Sequence, residues 1–175
     1  MKRLINLAMA NPDSRFWYKQ QATALRKFCK AQNWDYNTFV DVLAITSPRV
    51  QLLKNFKFAC NYMRGEKFYT NPLPLVFASL KHYEATGKIR GSKVSRFAAA
   101  LKGNKTVVVL DIYMSKILRV DYKQMYLVHN YAKLEKKIVK LAEMLKWTPA
   151  ETQAALWCNF LLANNRQIYA YSNLI

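Results

Sequence analysis

The run Val107-Val108-Val109-Leu110-Asp111-Ile112-Tyr113-Met114 places one of only ten acidic residues, in a chain with 28 basic ones, inside an apolar stretch. Four apolar residues precede the carboxylate and three follow it, so it is expected to lose water. That is costly unless something pairs with it or hydrogen-bonds to it. Asp111 therefore either caps an element boundary or does chemistry, and the two roles are compatible. Thr106–Leu110 is β-branched but has no partner strand in the chain, so it reads as an extended connector packed into the core. It leads to a helix that begins at Asp111, whose side chain would accept from the backbone N–H groups behind it. Eighteen positions earlier, Lys93 lies in the first turn of another predicted helix, after a turn bracketed by Gly87 and Gly91.

The elements that must position these two residues read as helical almost throughout. Phe16–Gln32 spaces its apolar residues closer to a helix than to alternation, and Trp34-Asp35-Tyr36 starts a second helix. Thr46-Ser47-Pro48 reads as a helix start, with Ser47 as N-cap and Pro48 at the first helical position, opening a helix over Arg49–Met63. Gly65 stops it. Thr70-Asn71-Pro72-Leu73-Pro74 restarts the chain for Leu75–Glu84, the Gly87–Gly91 turn precedes Ser92–Leu101, and Gly103-Asn104 ends that element. Tyr122–Leu145 reads as one long basic helix with a break near His129-Asn130. Thr148-Pro149-Ala150-Glu151 is a T-x-x-E capping box with proline at the first helical position, opening a last helix through Trp157.

Composition narrows the class. The 175 residues fit one domain, or one domain with two lobes, and a hydrophobic fraction of 52% supports a packed core. Four glycines and five prolines are few for an all-β design. No 18-residue apolar stretch occurs, so no membrane span is expected. The opening MKRLINLAMANPDS imitates a signal peptide, but Asn6 interrupts the short run Leu4–Ala10, and a first helix or arm is the plainer reading. Cys29, Cys60 and Cys158 are odd in number and far apart, which points to buried thiols in a reducing compartment and to no metal or other cofactor. His82 and His129 have no partner spacing that suggests a metal.

The formal charge of +18 asks for a polyanionic partner, and nucleic acid is the usual one. An anionic membrane surface competes. The basic residues, however, run along the whole chain and are not gathered on one amphipathic segment. Lys136, Lys137 and Lys140 form a solvated basic face that could track a phosphate backbone.

The segment Thr86-Gly87-Lys88-Ile89-Arg90-Gly91-Ser92-Lys93, its helix to Leu101, and Asp111 beyond it together resemble the helix-hairpin-helix DNA glycosylase superfamily. The lysine-to-aspartate spacing resembles its endonuclease III branch. Phe39–Pro48 followed by Asn55 and Ala59 looks like the superfamily's upstream helix pair. Lys116 falls where that family often has an arginine, and the closing Thr148–Trp157 looks like small phage-encoded relatives. The resemblance runs from about Asp35 to Phe160. It departs at Ile89, where the first hairpin glycine would stand, at Tyr113, where a histidine would stand, and in lacking the C-terminal cysteine quartet of the iron–sulfur members.

The resemblance implies an all-α, two-lobed fold with a helix-hairpin-helix element near 80–101, a cleft between the lobes, and the whole of 1–175 as one monomeric domain. It implies a cytoplasmic protein, bacterial or from a phage-infected host, acting on duplex DNA. It also implies cleavage of the N-glycosidic bond of a flipped base. Asp111 would stabilise the oxocarbenium-like charge or activate the nucleophile. The amine of Lys93 could instead attack C1′ and couple base release to strand scission. Arg90, Gly91, Ser92, Lys93, Arg96 and Lys116 would hold phosphates, and Ser47, Tyr113 and Trp157 are candidates for the base pocket. The other aromatics, among them Trp17, Tyr18 and Trp34, read mostly as core. Two further readings stay open: a DNA-binding protein of the same fold without catalysis, and an enzyme that modifies a flipped base without removing it.

Overall fold

The computed structural model describes residues 1–66, 74–168 and 170–175, and among them all regular structure is helical. The α-helices in chain order are α1 (Lys2–Met9), α2 (Trp17–Ala31), α3 (Tyr36–Thr46), α4 (Leu52–Met63), α5 (Pro74–Thr86), α6 (Ser92–Leu101), α7 (Ile112–Leu118), α8 (Tyr122–Met125), α9 (Val128–Leu145) and α10 (Pro149–Ala163). Two single 3-10 turns, Pro12–Phe16 and Tyr171–Asn173, complete the set. The fold class is all-α. The expected restart at 70–73 lies outside the described residues. No described helix is long and apolar enough to cross a membrane.

The chain divides into two compact units, each built from separated stretches of sequence. The first comprises Met1–Gln20 and Gly103–Ile168. Its core gathers Leu4 and Ala8 of α1, Val108 and Leu110 of the connector, and the inward faces of α7, α9 and α10, with Ile138, Leu141 and Leu156 fully enclosed. The buried Asn159 of α10 donates its amide to the carbonyls of Leu7, Ala8 and Asn11 at 2.9–3.2 Å, and its carbonyl accepts from Ser14 Oγ at 2.9 Å. One side chain thus satisfies the C-terminal end of α1, whose carbonyls have no intrahelical partner.

The second unit comprises Gln21–Lys102 and Tyr169–Ile175. Helix α3 is buried on every side from Phe39 to Thr46, with Asp41 and Thr46 the polar residues among apolar ones, as a helix enclosed by its neighbours must be largely apolar. Phe28, Trp34, Phe39 and Phe56 pack ring against ring at 5.1–5.9 Å. Asn55 donates to Leu43 O (2.9 Å) and Thr46 Oγ1 (2.7 Å) and accepts from Tyr171 Oη (2.7 Å), so these three buried side chains satisfy one another. The buried carboxylate of Asp41 is neutralised by Lys102 Nζ at 2.6 Å and receives the Tyr83 hydroxyl at 3.0 Å.

Two boundaries differ from the sequence expectation. Ser47 does not open α4. Its hydroxyl donates back to Ala44 O at 2.8 Å, as that of Thr46 does to Val42 O at 2.8 Å, so both residues finish α3. Arg49 then takes a left-handed φ of +58°, and α4 begins only at Leu52. The break in the long basic helix falls at Tyr126-Leu127, ahead of His129-Asn130, and Asn130 Nδ2 reaches back across it to Gln124 O at 2.9 Å.

Candidate functional site

Asp111 stands at the end of the connector because Val108, Val109 and Leu110 are buried and leave the next residue at the rim of the first unit's core. The connector is held from the side by Tyr131. Its buried hydroxyl donates to Val108 O and accepts from Leu110 N–H, both at 3.1 Å, supplying the bonds that a partner strand would otherwise give. Helix α7 follows at once, and Asp111 is its N-cap: Oδ1 accepts from Tyr113 N–H at 3.0 Å and Met114 N–H at 2.9 Å. The expectation of a cap therefore holds, whereas that of a buried carboxylate needs correction. Asp111 is half-buried, since Val108–Leu110 turn inward while Ile112 on its other side is exposed, which leaves the carboxylate at the surface.

The second oxygen has a partner that its neighbours in sequence do not suggest. Trp157 on α10 donates Nε1–H to Asp111 Oδ2 at 2.9 Å. Its indole meets Tyr113 edge-on at 6.3 Å and Trp17 at 5.6 Å. Arg166, just beyond α10, donates to the Tyr113 hydroxyl at 3.0 Å, with its guanidinium 5.5 Å from that ring. Behind this layer Tyr18 Oη donates to Gln153 Oε1 at 2.7 Å in the core. Trp17 itself is buried, and its indole N–H has no hydrogen-bond partner among the described residues, a costly arrangement for a donor. On the other side, Tyr126 Oη donates to Leu110 O at 3.4 Å. Burial, the adjacent Tyr122 and the Asp111 carboxylate push the Tyr126 phenol well above its usual range.

The result is a carboxylate addressed by three N–H donors, all of which stabilise its anionic form, and bordered by aromatic rings. Such a group can hold positive charge as it develops on a bound molecule, or accept a proton from one. Of the three candidates for a base pocket, Tyr113 and Trp157 are brought together here. Ser47 belongs to the second unit.

In that second unit α5 and α6 form the expected helix–turn–helix, with Gly87 at φ +66° and Gly91 at φ +87°, backbone angles that favour glycine. Arg90 and Ser92 are exposed at the turn, and Arg96 Nη1 bonds Ser92 O at 3.4 Å. Lys93 is half-buried: its ammonium donates to Ser47 Oγ at 3.1 Å and lies 5.3 Å from the Phe97 ring centre. Lys116, the remaining phosphate candidate, is exposed on α7 of the first unit.

Sequence reasoning missed Arg166, Tyr126 and Tyr131 at this site, and nothing in their local spacing marks them. Among the described residues no group of three or more His, Cys, Asp or Glu is placed to hold a metal ion. Cys29, Cys60 and Cys158 are free and buried.

Fold and site together define a strongly basic all-α protein with a carboxylate fixed among aromatic rings at a helix start. The chain belongs to a family of unknown function, DUF7178, whose model matches residues 8–166. No curated protein and no solved structure matches it.

Proposed function

We propose that this protein binds DNA and removes a damaged or modified base by cleaving its N-glycosidic bond, with Asp111 as the group that faces the reacting sugar. The observation that carries the reading is the Asp111 carboxylate itself: half-open, held on both oxygens, and bordered by Trp157 and Tyr113. A carboxylate fixed in this way needs no reorientation as oxocarbenium-like charge builds on the sugar. Aromatic faces suit a base turned out of the stack. The excess of 28 cations over ten carboxylates supplies the affinity for phosphate. The sequence resemblance to helix-hairpin-helix glycosylases supports the same chemistry.

Lys93 is given the phosphate role here. Its ammonium already donates to the Ser47 hydroxyl and lies against the Phe97 ring, an arrangement that also suits a cation beside a phosphate. Arg90, Ser92 and Arg96 on the same turn and helix would share that phosphate. A second reading, DNA binding without catalysis, is favoured by one observation: every cap bond that Asp111 makes is also one a purely structural N-cap would make.

The test is a strand-nicking assay on labelled duplexes that carry a panel of damaged and modified bases, with and without alkali and with borohydride trapping. Alkali-dependent cleavage that is lost in Asp111→Asn while binding persists supports base release. A borohydride adduct that disappears in Lys93→Ala would overturn the phosphate role of that lysine. Salt-sensitive binding with no cleavage of any substrate favours the binding-only reading.

A further inference from the structure

Beside Asp111 the first unit carries an apolar surface that its own core does not use. Tyr122 and Tyr126 of and after α8, and Leu127 and Val128 at the start of α9, are all exposed, Val128 at 86%. They lie on one short stretch, where the break between α8 and α9 turns them outward. A solvated protein gains nothing from holding four such side chains together in water.

The surface is also built, not loose. Tyr122 and Tyr126 meet edge-on with ring centres 5.0 Å apart, and Tyr126 is anchored through its hydroxyl to the carbonyl of Leu110, the residue before Asp111. Tyr126 in turn lies 6.5 Å from the ring of Tyr131, which is buried and bonded to the connector. The charges around it have one prevailing sign. In sequence Lys116, Arg119 and Lys123 stand at or just before the patch and are exposed, while the two carboxylates near it are both engaged, Asp121 as N-cap of α8 at 3.0 Å from Gln124 N–H and Asp111 by its three N–H donors.

Exposed, fixed aromatic rings among cations fit a ligand with flat apolar faces on an anionic chain, which describes unpaired nucleotides. We propose that the Tyr122–Val128 tip binds unpaired nucleic acid, with bases stacking on Tyr122 and Tyr126 and packing against Leu127 and Val128, and with Lys123 on a phosphate. The proposal rests on the nucleic-acid reading above but not on its glycosidic step. A lipid surface would also accept lysines and apolar side chains, but it calls for a longer amphipathic helix than the four residues of α8 and for rings free to insert.

The experiment uses the full chain and three probes: a fluorescein-labelled oligothymidylate, the same length of duplex, and vesicles containing phosphatidylserine. A single strand carrying 2-aminopurine reports stacking. Tyr122→Ala and the double variant Leu127→Ser/Val128→Ser are expected to keep the wild-type helical signal. Each should weaken single-strand binding by about tenfold and lose most of the 2-aminopurine quenching. The same variants should change duplex affinity by less than about threefold, since phosphate contacts dominate there. Lys123→Gln is expected to weaken both nucleic acids alike and to lower the salt slope by about one. Unchanged single-strand affinity and quenching in both apolar variants would overturn the proposal. So would variants that lose vesicle binding or self-association while still binding the single strand as the wild type does. Because these readouts need no cleavage, a failed nicking assay leaves this result standing, and the reverse also holds.

Discussion

The indole N–H of Trp157 donates to Asp111 Oδ2 at 2.9 Å across forty-six positions of sequence, joining the start of α7 to the middle of α10. Since Oδ1 is already committed to the α7 backbone, this bond fixes the one remaining freedom of the carboxylate, its rotation about the Cβ–Cγ axis.

Trp157→Phe keeps a ring in place and removes the donor. A half-buried hydrogen bond to a charged acceptor predicts a loss of about 1 kcal/mol in stability, read from the urea midpoint. If Asp111 acts on a substrate, the same variant loses about tenfold in rate from the loosened carboxylate, a larger effect on turnover than on binding. Equal losses in KM and kcat would argue that the indole contacts the substrate instead.

Asp111 can be taken apart by two replacements. Asparagine can keep the cap through Oδ1 but turns an amide N–H toward the Trp157 N–H, so Asp111→Asn should cost about 1 kcal/mol, as Trp157→Phe does, whereas Asp111→Ala loses the cap bonds as well and should cost about 2 kcal/mol. Both remove the negative charge. Activity lost equally in the two, against a clearly larger loss of stability in the alanine variant, separates chemistry from capping. Activity that tracks stability would leave capping as the only role.

Tyr131→Phe tests the connector. It strips the acceptor from the buried Leu110 N–H and the donor from Val108 O, and an orphaned buried group costs about 1–3 kcal/mol. Amide exchange at Leu110 should accelerate far more than exchange in α3, which lies in the other unit.

Alkaline pH should destabilise the protein through its thiols. Burial pushes Cys158 up to about 12; it also pushes Cys29 up to about 11, with Cys60 and Asp35 adding to the effect, from an ordinary value of 9.0. The unfolded thiols ionise first, so between pH 9 and about 12 the unfolded state holds fewer protons than the native one. The sign is therefore negative: the stabilisation is complete below pH 9 and is lost as pH rises through the native values. Urea midpoints from pH 8 to 11 should fall, and Cys158→Ala should flatten part of that slope. Thiol reagents at pH 8 should leave the native protein unlabelled until denaturant is added.

Local chemistry was legible in the sequence wherever a backbone demand is met by nearby residues. The Thr148 capping box, the start of α6 at Ser92 and the Asp111 cap all stand where spacing puts them, because each is closed within three or four positions. Ser47-Pro48 misled for the same kind of reason run backwards. A serine before a proline suits a helix start, yet its hydroxyl found the end of α3 first. What could not be read were partners far along the chain. Trp157 and Arg166 give no local sign that they reach Asp111 and Tyr113, and the half-exposed state of Asp111 depends on how the buried connector turns, not on its apolar flanks.

The interleaving of the two units also bears on how the chain is made. Helix α1 depends on Asn159 for its last carbonyls, and Asn55 depends on Tyr171 to complete its bonds. Each unit thus takes an early segment and a late one. A ribosome has to deliver nearly all of these residues before either unit can close. Helix α3 is covered by α4, α5 and α6 of the same early stretch, so the groups left waiting longest are the carbonyls at the end of α1 and the side chain of Asn55, not α3.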